Sequence, residues 1–231
     1  MKQYALVLSL LTVVWVLGCS TVRWQGRDPE RATLPVSSSA LLAGVGLVRI
    51  EEVDPSIFID LRYKTESAIA RRPLYEADFP ALLRPETAVR LKRANELVKA
   101  QGYRIKVWDA YRPPAAQRML WDASGHDDRF VANPDSAPSQ HSCGTAVDVT
   151  LVKANGEEVE MPTGFDSFTP RAAARFSGLP EQVQKNREIL QVAMSEAGFF
   201  ILPNEWWHFT DRRFRDYPET VALSDIQASW R

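Results

Sequence analysis

The sequence predicts an α+β fold, a single domain with an antiparallel sheet and flanking helices. Amphipathic helical segments and short strand-like segments both occur, and they do not alternate in the regular β-α-β order that builds a parallel sheet. In chain order, Ser56-Ile57-Phe58-Ile59-Asp60-Leu61-Arg62-Tyr63 reads as an extended segment. Residues 85–100 form a helix: Pro85 suits the first turn, while Ala88, Leu91, Ala94, Leu97 and Val98 share one face and Gly102 ends it. Residues 103–108 alternate as a strand, with Tyr103, Ile105 and Val107 on one side. Pro113 and Pro114 open a second helix that reaches Ala123, and residues 146–152 form another strand. Leu179-Pro180-Glu181 opens a third helix, with Val183, Leu190, Ala193 and Met194 inward and Gly198 as its stop. Residues 199–202 and 207–210 are short strands.

Composition narrows the function classes. A chain of 231 residues, 45% hydrophobic and 25% charged, buries a core without staples and is not disordered in the main. With 28 Lys+Arg against 29 Asp+Glu it lacks the basic excess that phosphate neutralisation requires, so no nucleic-acid partner is expected. Two cysteines build neither a disulfide framework nor a Cys-rich zinc module. Three histidines confine any His-based metal centre to His126, His141 and His208.

The N-terminus reads as a targeting segment. Met1-Lys2-Gln3 precedes an apolar run from Tyr4 to Leu17 that is shorter than the roughly 20 residues of a spanning helix and fits a secretory signal. Val16-Leu17-Gly18-Cys19 resembles a bacterial lipobox, which implies removal of residues 1–18 and a lipid on Cys19. Residues 19–46, rich in Ser, Pro, Arg and Ala, are expected to tether a domain that spans residues 47–231. The expected location is the periplasmic side of the cell envelope. Ser20 lacks the acidic character read as an inner-membrane cue, which points to the outer membrane.

Two segments carry chemistry: Ser139-Gln140-His141-Ser142-Cys143-Gly144-Thr145-Ala146-Val147-Asp148 and Glu205-Trp206-Trp207-His208. Together they supply two imidazoles and two carboxylates, the inventory of a catalytic zinc site. His141 and Asp148 are too far apart to share an ion on one straight element, so the chain must fold back between them, and Gly144 permits that turn. Asp148 then leaves the start of its strand on the face opposite Val147 and Val149. Three protein ligands, His141, Asp148 and His208, leave a fourth position open for water, and Glu205 is the candidate base for its proton. Glu205 faces away from His208 on a regular strand, so a turn near residues 204–206 is required. Cys143 reads as a packed or semi-exposed thiol beside the site, and His126 as an exposed loop residue.

With these residues in view, the chain resembles the zinc D-alanyl-D-alanine dipeptidases of the vancomycin-resistance type, within the wider D,D-peptidase and hedgehog-like metallopeptidase group. The markers are Asp60-Leu61-Arg62-Tyr63, Trp108-Asp109-Ala110-Tyr111-Arg112-Pro113, the Ser139-to-Asp148 segment, Phe165-Asp166 and Glu205-Trp206-Trp207-His208, in that order. The resemblance implies one zinc ion on His141, Asp148 and His208, with Glu205 as general base and then proton donor. It further implies Arg112 at the oxyanion, and Ser139, Tyr63 and Asp166 along the substrate pocket, where Asp166 suits a free α-ammonium. The alternative reading of Arg112 is a structural ion pair with Asp109, three residues earlier, and the two roles are compatible. The implied activity is hydrolysis of the D-alanyl-D-alanine dipeptide; the alternative is a D,D-carboxypeptidase that trims peptidoglycan stems. A small D,D-dipeptide and, through the lipid, the membrane are the expected partners, with no obligate protein partner. One departure stands out: Glu66-Ser67-Ala68-Ile69-Ala70-Arg71-Arg72 replaces an Asn-Phe-Thr-Gly-like stretch, which bears on the pocket wall and not on the metal ligands.

Overall fold

A computed structural model describes residues 45–65, 69–222 and 224. The expected signal segment, Cys19, the tether up to residue 44 and residues 66–68 of the divergent stretch lie outside the described residues. The described chain opens with Val45, Leu47, Val48 and Ile50 all buried. Two short strands, β1 (Val48–Arg49) and β3 (Leu82–Leu83), pair antiparallel, and a one-turn helix α1 (Ile50–Val53) follows the first.

The main sheet has five strands: β2 (Phe58–Ile59), β4 (Tyr103–Asp109), β5 (Ala146–Lys153), β6 (Phe199–Ile201) and β7 (His208–Asp211). Their order is β2-β4-β5-β7-β6. Three of the neighbour pairs are antiparallel, but β2 runs parallel to β4, so the sheet is mixed and not wholly antiparallel as expected. The cause is the connection: the chain leaves β2 and returns through helix α2 (Pro85–Lys99), a crossover that brings β4 back in the same direction. The extended reading of residues 56–63 holds only for β2, because the chain then winds into a 3₁₀ turn (Arg62–Lys64) that buries Tyr63.

The helices follow the apolar periods. Helix α2 buries Ala88, Leu91, Ala94 and Val98, and helix α4 (Glu181–Glu196) buries Val183, Leu190, Ala193 and Met194. Helix α3 (Pro114–Ala123) starts at the expected proline pair and buries Ala116, Leu120 and Trp121. Helices α2 and α4 pack on each other and on the sheet. Asp211 identifies the covered face: it is fully buried and accepts hydrogen bonds from Thr87 and Arg90 of α2, both at 2.6 Å. Alternation puts Phe209 on that same face, with Val147 opposite it across the β5–β7 pair. The register also aligns Asp148 with His208 and Ala146 with Thr210, so these residues project from the other face.

A bulge in β4 adds a second carboxylate to that second face. Val107 pairs with Val149, whereas Asp109 pairs with Asp148, so β4 advances two residues while β5 advances one. Without the bulge, Asp109 would share the helix-covered face with Val107; the extra residue turns it toward Asp148. Among the described residues no helix is long and apolar enough to cross a membrane.

Candidate metal centre and active site

The loop that carries His141 folds back as its spacing demands. The Gly144 N–H donates to His141 O at 3.0 Å, Thr145 N–H to Gln140 O at 2.9 Å, and Cys143 N–H to Ser139 O at 3.1 Å. Gly144 has φ +75°, and a Cβ there would lie 2.7 Å from Leu47 Cδ2, so glycine satisfies both the backbone and the packing. The second segment turns as well: Glu205 N–H reaches Leu202 O, and His208 N–H reaches Glu205 O, each at 3.4 Å. Trp206 and Trp207 are fully buried on either side of this turn, and Trp206 Nε1–H donates to Thr163 Oγ1 at 2.9 Å.

The three expected ligands converge. His141 Nε2 lies 3.1 Å from His208 Nδ1 and 3.4 Å from Asp148 Oδ1, and His208 Nδ1 lies 3.0 Å from Asp148 Oδ1. Ala110 O can only accept, so at 2.7 Å it fixes the proton of His141 on Nδ1 and leaves a lone pair on Nε2. Thr210 Oγ1, 3.1 Å from His208 Nε2, can take that ring's proton and leave Nδ1 as a lone pair. Burial, opposed by Asp148, holds the His208 ring below its ordinary pKa, which favours the neutral form. Burial opposes ionisation of Asp148, but charge and hydrogen bonds from His141 and His208, when those rings carry a proton toward it, outweigh burial and hold its carboxyl well below the usual carboxylate range. With both rings in the neutral tautomers that Ala110 O and Thr210 Oγ1 favour, three acceptors meet with no donor between them, an arrangement that a cation relieves. Bonds of about 2.0–2.1 Å in tetrahedral array separate neighbouring donors by about 3.3 Å, so the observed spacings fit zinc.

Around this triad the remaining expected residues assemble. Glu205 is buried, with Oε2 3.9 Å from His208 Nδ1; burial first, then Asp148 and Asp166, push its carboxyl well above the ordinary range. Arg112 forms the expected pair with Asp109: Nε and Nη2 both donate to Oδ2, at 2.9 and 2.7 Å, and Tyr75 donates to Oδ1 at 2.6 Å. Arg112 Nη2 also lies 3.6 Å from Asp148 Oδ2. Asp166 sits at φ +55° and accepts from Tyr63 Oη at 3.2 Å on Oδ1, while its Oδ2 is buried with no hydrogen-bond partner among the described residues. Burial, opposed by Arg112 and reinforced by Asp148, pushes Asp166 up to about 7. A cavity of about 290 Å³ is lined by the triad together with Glu205, Arg112, Ser139, Tyr63 and Asp166.

Cys143 is buried beside the loop and takes no part in the triad; burial pushes its thiol up. His126 is exposed, 5.1 Å from Trp121 ring to ring, and does not line the cavity. The structure adds residues that the motifs did not disclose. Phe130 and Phe168 come from separate loops, stack at 4.5 Å with ring planes 6° apart, and both line the cavity. Gln117 of α3 contacts Arg112 from behind. The Phe130–Phe168 stack leaves no local signal, because it depends on loops that meet only in the folded chain.

A family model described as D-ala-D-ala dipeptidase matches residues 43–222. The chain belongs to this family. It is 33% identical over 172 residues to the D-alanyl-D-alanine dipeptidase of Escherichia coli strain K12, covering 74% of this chain and 88% of that protein. The Enterococcus faecium D-alanyl-D-alanine dipeptidase is 29% identical over 200 residues, covering 79% of this chain and 98% of that protein. Among solved structures, a vancomycin resistance D,D-pentapeptidase in complex with Zn(II) aligns with a TM-score of 0.39 and 16% identity, over 65% of this chain and 86% of that one. The dipeptidase family is the one that the separated motifs resemble, and the match spans nearly all of the described residues.

Proposed function

We infer that this protein is a zinc peptidase that hydrolyses the D-alanyl-D-alanine dipeptide. The observation that carries the reading is the convergence of His141, Asp148, His208, Glu205, Arg112 and Asp166 on one cavity, in a chain of the dipeptidase family. His141, Asp148 and His208 would hold the zinc ion, which when bound would supply Lewis acidity for water and for the scissile carbonyl.

The chain's own groups divide the remaining work. Glu205 takes the proton of the attacking water on a carboxylate oxygen and later delivers it to the leaving amine nitrogen. Arg112, paired with Asp109, presents positive charge to the oxyanion in a buried site. Asp166, which lines the cavity, receives the substrate's α-ammonium on its carboxylate, with Tyr63 holding Oδ1. The Phe130–Phe168 stack closes the cavity near that end, since Phe168 lies two residues past Asp166 and its N–H donates to Asp166 O at 3.0 Å. An ammonium site beside an aromatic wall favours a free dipeptide over the stem peptides that a D,D-carboxypeptidase trims.

Asp166→Asn keeps the shape but removes the charge that meets the ammonium. It is expected to raise KM for the dipeptide by about 10- to 100-fold, with zinc content unchanged. Steady-state kinetics on the zinc-loaded variant checks this, and an unchanged KM contradicts the ammonium assignment.

Residues 1–19 support placing the protein in the envelope through a lipid on Cys19, with the outer membrane as its site. An enzyme there meets dipeptide released from the wall and not the cytosolic precursor pool, so scavenging or fragment recycling suits it better than antibiotic resistance. Cys19→Ala is expected to move the protein from the membrane fraction to the soluble one; a wild-type protein that is wholly cytosolic contradicts this placement.

A further inference from the structure

We propose that Gln117 is a positioning residue that fixes the orientation of the Arg112 guanidinium and couples it to the loop that walls the cavity. The inference rests on the dipeptidase reading for the role of Arg112, and on geometry for everything else. Arg112 Nε and Nη2 both donate to the same atom, Asp109 Oδ2. One acceptor atom is a pivot: the Tyr63 ring, 5.1 Å from Arg112 Cζ, and Asp148 Oδ2, 3.6 Å from Nη2, restrain the plane of the group but leave it freedom to turn in that plane about Asp109 Oδ2. Gln117 Oε1 removes this freedom by accepting from the opposite nitrogen, Nη1, at 2.8 Å.

The other end of the amide is equally committed. Gln117 Nε2 donates to Ala132 O at 2.7 Å, and the side chain is only 1% exposed. Its orientation is unambiguous, because the guanidinium can only donate and the carbonyl can only accept. Ala132 and its neighbours Phe130 and Val131 line the cavity that Arg112 also lines. A single buried amide therefore ties the oxyanion-facing cation to the cavity wall. The hydrogen bonds to Asp109 and Gln117 use three of the five guanidinium N–H groups and leave one on each Nη. A carboxylate at position 117 would still accept from Arg112 but would set a lone pair against Ala132 O. A thioether of similar size would do neither.

The test compares Gln117→Met with Gln117→Glu in the zinc-loaded full-length protein. Q117M is expected to lower kcat on D-alanyl-D-alanine by about 10- to 100-fold with KM changed less than threefold, since a hydrogen bond to a buried charge is lost where the transition state needs it. Q117E keeps the acceptor and is expected to recover at least tenfold of that loss. In an Arg112→Lys background, where Lys cannot span the fork, Q117M is expected to cost less than twofold. Equal losses in Q117M and Q117E, or an undiminished loss beside R112K, reduce Gln117 to loop support and overturn the proposal.

A substrate-free readout separates this proposal from the functional reading. In nitrogen-15 NMR, the Arg112 Nη protons of the wild type are expected to be resolved and slow to exchange, and to be averaged in Q117M. Wild-type protein that leaves the dipeptide intact contradicts the dipeptidase reading alone. Unchanged Arg112 signals in Q117M contradict the proposal alone.

Discussion

Glu205→Gln lowers kcat by about 10²- to 10⁴-fold while zinc content stays at one ion per chain, the loss expected when a general base is removed without disturbing the metal ligands. The amide is nearly isosteric with the carboxyl and keeps the turn that Trp206 and Trp207 anchor. What it loses is the capacity to take a proton beside the triad. The surroundings of Glu205 suit proton transfer in both directions. Burial and the neighbouring carboxylates Asp148 and Asp166 raise its proton affinity, so it can accept a proton and return it. Metal analysis with single-turnover kinetics checks the outcome. A Gln variant that retains turnover within tenfold of wild type assigns the base elsewhere.

Chelation is expected to reduce activity to background and to lower the melting temperature, with zinc restoring both. The cavity is lined by Asp148, Asp166 and Glu205, with Asp109 behind Arg112, so four carboxylates face one guanidinium. Two lone-pair nitrogens meet the Asp148 carboxylate at 3.0–3.4 Å. Zinc relieves this crowding only in the folded state, and free metal at about 1,000 times its dissociation constant stabilises by about 4 kcal/mol, on the order of 10 °C for a domain of this size. His208→Ala leaves two ligands and is expected to abolish both the zinc-dependent rise and the turnover. Calorimetry with and without chelator checks the pair. A melting temperature indifferent to zinc contradicts the metal centre.

Much of the fold is legible in local sequence because its signals are local. Helices α2, α3 and α4 show their apolar period, their opening prolines and, for α2 and α4, the glycines beyond their ends, and each begins and ends within a residue or two of expectation. The parallel edge is not legible, since nothing within residues 56–63 records which way β4 will run beside them. Nor is the β4 bulge, although it brings Asp109 to Arg112; Trp108 looks like one more strand residue until the register with β5 is known. The triad is legible because histidine is scarce, Gly144 permits the return of the chain, and the short spacing from Glu205 to His208 requires a turn. Gln117 is hidden for the opposite reason. A glutamine on a helix reads as a solvated residue, and only the meeting of α3 with the loop at Ala132 makes it a buried bridge.

Cleavage of a dipeptide with a free amino end is the central claim for this site. The most direct measurement is kcat/KM of the zinc-loaded wild-type protein on D-alanyl-D-alanine against its N-acetylated form. Acetylation removes the charge that Asp166 receives and adds bulk at the Phe130–Phe168 wall, so a preference of at least about 100-fold for the free dipeptide is expected. Equal or faster cleavage of the acetylated substrate contradicts the claim and identifies the protein as a D,D-carboxypeptidase.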